Sequence, residues 1–447
     1  MKQNILVIGQ GGREHAIAWK LSRSPQVQKV FVCPGNGGTA LEKNIENIDI
    51  DISDTNALID FVKKNNILLT VVGPEDPLVE GIINKFSEHG LKAFGPTKEH
   101  AILEGSKVFS KDFMRKYDIP TAGYQMFSNK DEAKLYIDNK KHPIVIKADG
   151  LAAGKGVIVS SSVEESYRAI DKLLSTEYSD FIVIEEFLSG QELSAIYICN
   201  DKGSHYEIGL PWTKDYKSRD EHNSGPNTGG MGAVSHPLSY KHKNEIYKLY
   251  LDIEKILAKT INGINDYNKK SNTKYLGFLY IGLMIDSANK IKVLEYNCRM
   301  GDPETQNLMI TLENKNIDLL EMIINNPATD IRDLNIVDLD HKNNEYCCTI
   351  VLASKGYPNS YEKGFYIDTS SVKENLKVKI FHAGTILDDN KICVTGGRIL
   401  TVNAFSEDKE KAISIAYENI KNIRVFEDKD MNIENNDLVF FREDIGN

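Results

Sequence analysis

The sequence predicts a mixed α/β and α+β chain of several domains, opened by an open parallel-sheet domain and closed by a β-rich one, on three observations. Over the first hundred residues, short apolar β-branched runs alternate with segments of helical period. Each of those runs ends in a loop rich in glycine or proline. From about position 334 onward the chain reads as strands and turns with few convergent polar groups. Strand–helix alternation at this spacing favours a parallel sheet with helices on both faces. The 447 residues amount to about three common domain lengths, so two to four domains are expected.

The elements follow in order. Ile5–Ile8, Lys29–Val32 and Leu68–Val72 are the first strands, and 13–23, 56–64 and 78–89 are the helices between and after them. The loops Gly9-Gln10-Gly11-Gly12, Pro34-Gly35-Asn36-Gly37-Gly38 and Gly73-Pro74-Glu75 all fall at strand ends, the edge where open α/β sheets bind ligands. Gly9-x-Gly11-Gly12 offers backbone N–H groups and a positive helix end to a phosphate, with Arg13 beside it. It is not a dinucleotide fingerprint, because Glu14 stands where a third small residue is needed and Cys33-Pro34 where an acidic one is needed. The loop therefore reads either as a cradle for a phosphate on another metabolite or as a structural tight turn.

A second segment begins near Glu104-Gly105-Ser106-Lys107. The strand Pro143–Lys147 leads into the glycine loop Gly150 to Gly156, and the strand Phe181–Leu188 carries Glu185 and Glu186. The glycine loop is no Walker A motif, since only three residues separate Gly150 from Gly154 and Gly156 follows Lys155. It is either an ordinary hairpin or a flap that folds over a triphosphate, with Lys147 at a strand end below it. A third portion holds Gly225 to Gly232, Gly277 to Asp286 and Lys292 to Glu304. Period-two alternation puts Glu295 and Asn297 on one face of a strand, two oxygen donors that suit a magnesium ion completing its shell with water and phosphate. Arg299, Gly301, Asp302, Pro303 and Glu304 follow at once, a convergence that reads as a site rather than a solvated loop.

Composition excludes several classes. With 41% hydrophobic, 26% charged and 9% aromatic residues the chain is well supplied for a core. Its net charge of −10 (54 basic against 64 acidic residues) gives no diffuse attraction to phosphate backbones or anionic membranes, so neither nucleic acid nor membrane is an expected partner. The apolar run after Met1 is too short for a signal peptide, so the mature chain is expected to begin there. Six cysteines without disulfide-framework or C-x-x-C spacing point to a reducing cytoplasm, and Cys347 and Cys348 to buried strand thiols. Scattered histidines argue against zinc, and the lack of a Gly-x-Ser-x-Gly elbow against nucleophilic hydrolysis. Runs such as Asn268-Lys269-Lys270 are solvated faces or loops, and no internal repeat is present.

Taken together, the ordered motifs resemble the phosphoribosylamine–glycine ligase (glycinamide ribonucleotide synthetase) family of the ATP-grasp superfamily. They are 7–16, 34–39, 72–75, 103–107, 145–157, 225–232 and 295–306, continuing through 381–385 and 396–398 to Asp444-Ile445-Gly446. The resemblance implies an N-terminal α/β domain (1–102), an ATP-grasp core with a mobile lid (103–192 and 193–333) and a C-terminal domain (334–447). It implies ligation of glycine to 5-phosphoribosylamine with cleavage of ATP, using Mg2+ or Mn2+, by a monomer or weak homodimer. Lys107, Lys147, Gly154, Lys155, Gly156, Glu185, Glu186 and Glu192 would hold the nucleotide, and Glu295 and Asn297 the metal. Lys147, Arg299, Asp215 and Lys217 would be catalytic. Gly11, Gly12, Arg13, Asn36, Gly37, Pro74, Glu75, Asn227, Gly230, Met231, Gly301, Asp302 and Pro303 would bind substrate. The motifs end at Gly446, so no fused pathway domain is expected. Three features depart from the family pattern: Lys214-Asp215-Tyr216-Lys217-Ser218 stands for Gln-Asp-His-Lys-Arg, Asn223 for Asp, and Met300 for Phe. A ligase acting on another carboxylate and a nucleotide-binding regulator without turnover are the rival readings.

Overall fold

The computed structural model describes residues 2–152, 156–175, 178–200, 208–209, 212–235, 243–324 and 345–447. At the N-terminus, five parallel strands lie in the order Ile45–Asn47, Val27–Pro34, Gln3–Gly9, Ile67–Val72, Ala93–Phe94. Such a sheet is covered on both faces, which is why its central strand is apolar throughout rather than alternating. Leu6 and Ile8 pack with Leu58, Ile59 and Phe86 on one side, and Ile5 and Val7 with Ala16 and Ile17 on the other. The helix Thr55–Lys64 starts where the Asp54 carboxylate accepts the Ala57 N–H at 3.0 Å.

A smaller antiparallel sheet follows, ordered Tyr124–Phe127, Ile182–Glu186, Ile144–Ala148, Val157–Ser160. The helices Lys130–Ile137 and Val163–Leu173 cover one face and share a core with Ile144, Ile146, Ile182 and Ile184. This unit has its own core.

The third sheet is continuous across two segments that the sequence reading kept apart. Its main path runs Ile291–Asn297, Gly277–Ile285, Gln191–Cys199, Thr213–Asp215, Gly232–Ser235, Tyr346–Ser354, Arg398–Ser406, Val378–His382, every pair antiparallel. Gly232 makes the junction possible, because a Cβ there would lie 2.7 Å from the Thr349 carbonyl oxygen. The C-terminal strands thus extend the sheet that carries the central motifs, and a second four-stranded sheet and the helix Lys409–Ile420 accompany them. None of the six cysteines forms a disulfide and all are buried, Cys347 and Cys348 on the junction strand. Among the described residues, no helix is long and apolar enough to cross a membrane.

Candidate active site

A cleft of about 1060 Å³ lies between the small antiparallel sheet and the edge of the large one, and it reaches the parallel-sheet domain at Arg13 and Glu75. At its base the helix Lys107–Lys116 begins at Ser106, whose hydroxyl accepts the Phe109 N–H. Asp149 accepts hydrogen bonds from Ser106 Oγ and the Val108 N–H, both at 3.0 Å, and Lys107 Nζ donates to the Gly150 carbonyl at 2.7 Å. The start of the glycine loop is thereby tied to the helix N-terminus. Gly156 lines the cleft, whereas Gly154 and Lys155 lie outside the described residues.

Lys147 and Glu185 come from neighbouring strands of the small sheet and meet at 3.1 Å. Lys147 also donates to the Leu294 carbonyl at 3.3 Å, where a bulge leaves Leu294 out of the strand pairing. The other Glu185 oxygen takes Lys111 Nζ at 2.9 Å. Burial pushes the Lys111 ammonium down to about 8, against the opposing charge of Glu185. Glu186, one residue on, points outward to Lys292 and accepts the Gly123 N–H.

Glu295 and Asn297 face the cleft while Tyr296 between them is buried, as the alternation predicted. The Lys217 ammonium lies 2.5 Å from Glu192 Oε1 and 3.4 Å from Glu295 Oε1. Burial opposes ionisation of Glu295, but Lys217, Lys147 and Lys107 outweigh it and bring the carboxyl to about 2. With its amide nitrogen donating to Tyr296 O (3.2 Å) and Glu104 Oε1 (3.0 Å), Asn297 keeps its carbonyl oxygen as an acceptor. An ionised carboxylate and an amide oxygen fit a hard divalent ion.

Arg299 joins the cleft to the parallel-sheet domain. Its guanidinium meets Glu75 at 3.1 Å and Glu104 at 3.0 Å, and Arg13 lies 3.7 Å from Glu75. Glu75 sits at about 2, since Arg299 and Arg13 outweigh its burial, whereas burial dominates at Glu104 and raises it to about 7. On the opposite wall Asp215 is buried with Oδ1 lacking a hydrogen-bond partner, and burial and Glu304 raise its carboxyl well above the usual range. Gly230, at φ +108°, leaves it room: a Cβ there would sit 2.7 Å from Asp215 Oδ1 and 2.4 Å from Pro303 Cδ. Arg398 reaches in from the C-terminal segment, 2.9 Å from Asp302 Oδ2, and Tyr357 Oη accepts the Gly229 N–H.

The departures from the family pattern have structural partners. The buried Tyr216 ring is approached by Lys214 (4.6 Å) and Arg442 (5.2 Å), its hydroxyl accepts the Gly446 N–H, and Asn223 Oδ1 accepts from Arg442.

Of the sequence-derived residues, Lys107, Lys147, Gly156, Glu185, Glu186, Glu192, Asp215, Lys217, Glu295, Asn297 and Arg299 line the cleft. Arg13, Glu75, Asn227, Gly301 and Asp302 line it too. Gly11, Gly12, Asn36, Gly37, Pro74, Gly230, Met231 and Pro303 are not part of that lining. Asn36 is tied up inside the protein: its amide nitrogen donates to Gln10 O and His382 O, and its oxygen accepts the Gly38 and Thr39 N–H groups. Glu14 occupies the glycine cradle, accepting the Gly11 N–H at 2.7 Å and filling space that Cβ atoms on Gly9 or Gly73 would need. Sequence reasoning quoted Glu104 and Arg398 only as motif residues without a role, and passed over Lys111 and Tyr357. Lys111 carried a signal, since it stands four residues after Lys107 on one helix face.

Three consecutive segments match the phosphoribosylglycinamide synthetase family: its N domain over residues 3–104, its ATP-grasp (A) domain over 105–305 and its C domain over 347–447. The chain is 43% identical over 418 residues to a phosphoribosylamine–glycine ligase of Pseudomonas syringae pv. tomato, covering 93% of each. It is 44% identical over 422 residues to that of Escherichia coli K12, covering 92% of this chain and 93% of the relative. The Thermotoga maritima phosphoribosylamine–glycine ligase structure superposes with a TM-score of 0.76 at 32% identity, covering 99% of this chain and 100% of that one. A Campylobacter jejuni biotin carboxylase shares the fold alone, with a TM-score of 0.70 at 14% identity over 95% of this chain and 92% of that one. With all three domains matched in order around one cleft, the chain belongs to the phosphoribosylglycinamide synthetase (phosphoribosylamine–glycine ligase) family of ATP-grasp enzymes.

Proposed function

We propose that this protein joins glycine to 5-phosphoribosylamine, cleaving ATP to ADP and phosphate, as a cytoplasmic monomer or weak homodimer in purine biosynthesis. One observation carries the reading: Lys107, Lys147 and Lys217 gather around the carboxylate of Glu295 in one cleft, with Asn297 beside it on the same strand. Joining an amine to a carboxylate needs activation, because the carboxylate oxygen leaves poorly. No nucleophile of this chain is arranged among the described cleft residues to form an acyl-enzyme. Glycine's carboxylate oxygen therefore attacks the γ-phosphorus, the bond to the β–γ bridging oxygen breaks, and ADP leaves. The amine nitrogen of phosphoribosylamine then attacks the carbonyl carbon of glycyl phosphate, the C–O bond to phosphorus breaks, and phosphate leaves.

In this reading Lys107 and Lys147 neutralise phosphate oxygens, with Glu185, Glu186 and Glu192 around the nucleotide. Glu295 and Asn297 would hold a divalent cation, Mg2+ or Mn2+, which when bound offsets phosphate charge. Arg299 orients the reacting carboxylate. Asp215, buried on the opposite wall with Oδ1 unpartnered, is the catalytic carboxyl of this reading, and the proton that the attacking amine gives up leaves with the phosphate. Arg13, Glu75, Asn227, Gly301 and Asp302 face the ribose phosphate and amine side.

Glycine carrying heavy oxygen in its carboxylate tests this route. One labelled oxygen should appear in the inorganic phosphate and the other in the amide product. Label-free phosphate during turnover would overturn the acyl-phosphate step, and ADP release that ignores glycine or phosphoribosylamine would overturn the substrate assignment.

A further inference from the structure

Three buried side chains form a charge triad at the foot of the cleft. Glu185 lies between two ammoniums, Lys147 on one oxygen and Lys111 on the other, at 3.1 and 2.9 Å. Their side chains are 2%, 8% and 3% exposed respectively, so none of these charges is screened by bulk water. Lys111 is not held by Glu185 alone. It donates to Thr121 Oγ1 at 2.8 Å, and Thr121 donates to the Val293 carbonyl at 2.7 Å, on the strand that carries Glu295. Lys111 is thus a strut from the large sheet to the small one, ending on the carboxylate that contacts Lys147.

The charge balance gives this strut a consequence. A lone Lys147–Glu185 pair is neutral, and its attraction for a phosphate is largely cancelled. With Lys111 on the second oxygen the triad keeps one net positive charge and Glu185 is fixed in place. Glu185 Oε1 has no aligned hydrogen bond although Lys147 lies beside it, so Lys147 is neighboured by that oxygen rather than captured by it.

We propose that Lys111 is a positioning residue for nucleotide use: by holding Glu185 it leaves the Lys147 ammonium free to engage nucleotide phosphate. The proposal rests on the reading that the cleft binds ATP, and it is independent of which acid and amine are joined.

The test uses the full-length protein with Lys111→Met, Lys111→Arg and Thr121→Val. Binding of magnesium ADP is measured by calorimetry, and KM is measured for ATP and for glycine separately. In Lys111→Met, ADP affinity and kcat/KM for ATP should both fall about 10- to 100-fold with glycine KM unchanged. Lys111→Arg should recover most of the loss, and in a Glu185→Gln background Lys111→Met should cost clearly less. Thr121→Val, which keeps volume and removes only the anchor, should weaken ADP binding in the same direction by a smaller factor. It decides the matter if Lys111→Met does not fold. Wild-type-like ADP affinity and ATP KM in folded variants, or equal losses for ATP and glycine, overturn the proposal. Wild-type protein that binds magnesium ADP but does not turn over glycine would overturn the proposed function and leave this inference standing.

Discussion

The Lys217 ammonium lies 3.4 Å from Glu295 Oε1 and 2.5 Å from Glu192, so a positive charge already stands beside the carboxylate assigned to the metal. Glu295→Ala should therefore raise the magnesium concentration for half-maximal activity by about tenfold or more, with little change in glycine KM. Manganese binding followed by paramagnetic resonance gives a second readout. Superimposable metal titrations of variant and wild type would remove Glu295 from the ligand set.

Lys147→Met removes the cation that touches both Glu185 and the Leu294 carbonyl. Turnover should fall on the order of 10²- to 10³-fold, the cost of losing one preorganised charge from a phosphoryl-transfer site. Circular dichroism should stay that of the folded protein. Full turnover in a folded variant would make Lys147 a strand residue without a catalytic role.

Arg299 bridges Glu75 and Glu104 and is itself largely buried. Arg299→Ala leaves Glu75 only the more distant Arg13 and drives Glu104 to its neutral form, and unfolding in urea should show a loss of about 1–3 kcal/mol. Arg299→Lys keeps the charge but not the planar fork that spans both partners, so its loss should be intermediate. An alanine variant as stable as wild type would show that water replaces the guanidinium without cost.

Acid stability should carry the mark of Glu42, which lies 3.4 Å from His15 and 2.5 Å from Lys379 where the first and last segments meet. Burial opposes its ionisation, but the hydrogen bond and charge of His15 and the Lys379 ammonium outweigh it and set the carboxyl at about 2. A depressed carboxyl stabilises the fold fully above its unfolded value, and the contribution is lost as pH falls toward 2. Between pH 5 and pH 2.5, Glu42→Gln should therefore lose less stability than wild type, by about 2–3 kcal/mol. Parallel stability curves for the two proteins would show that this interface does not titrate there.

Local chemistry was legible in the sequence wherever one element decides the outcome. The apolar run Ile5–Ile8 meant a strand buried on both faces, and Leu6 and Val7 do enter different cores. Glu295 and Asn297 share a face because successive side chains of a strand point to opposite sides. Glu14, which stands where a dinucleotide fingerprint needs a small residue, turns back to the Gly11 N–H within one turn.

What the sequence by itself determined, then, was the run of elements, the strand-end loops and the residues that share a face. Tertiary structure alone decided which of these reach the cleft. Asn36 looks like a ligand loop, yet its amide is bonded to the His382 carbonyl 346 positions away. Arg398 belongs to a motif to which the sequence assigned no role, yet the sheet junction at Gly232 brings it to Asp302. Lys111 stands one helical turn after Lys107, yet only the two sheets closing around it give it its partners. The physical reason is common to all three: backbone period and turn chemistry act over a few residues, whereas cleft membership depends on partners from other elements, up to hundreds of residues away, chosen by the burial of apolar faces and the pairing of charges as the sheets pack.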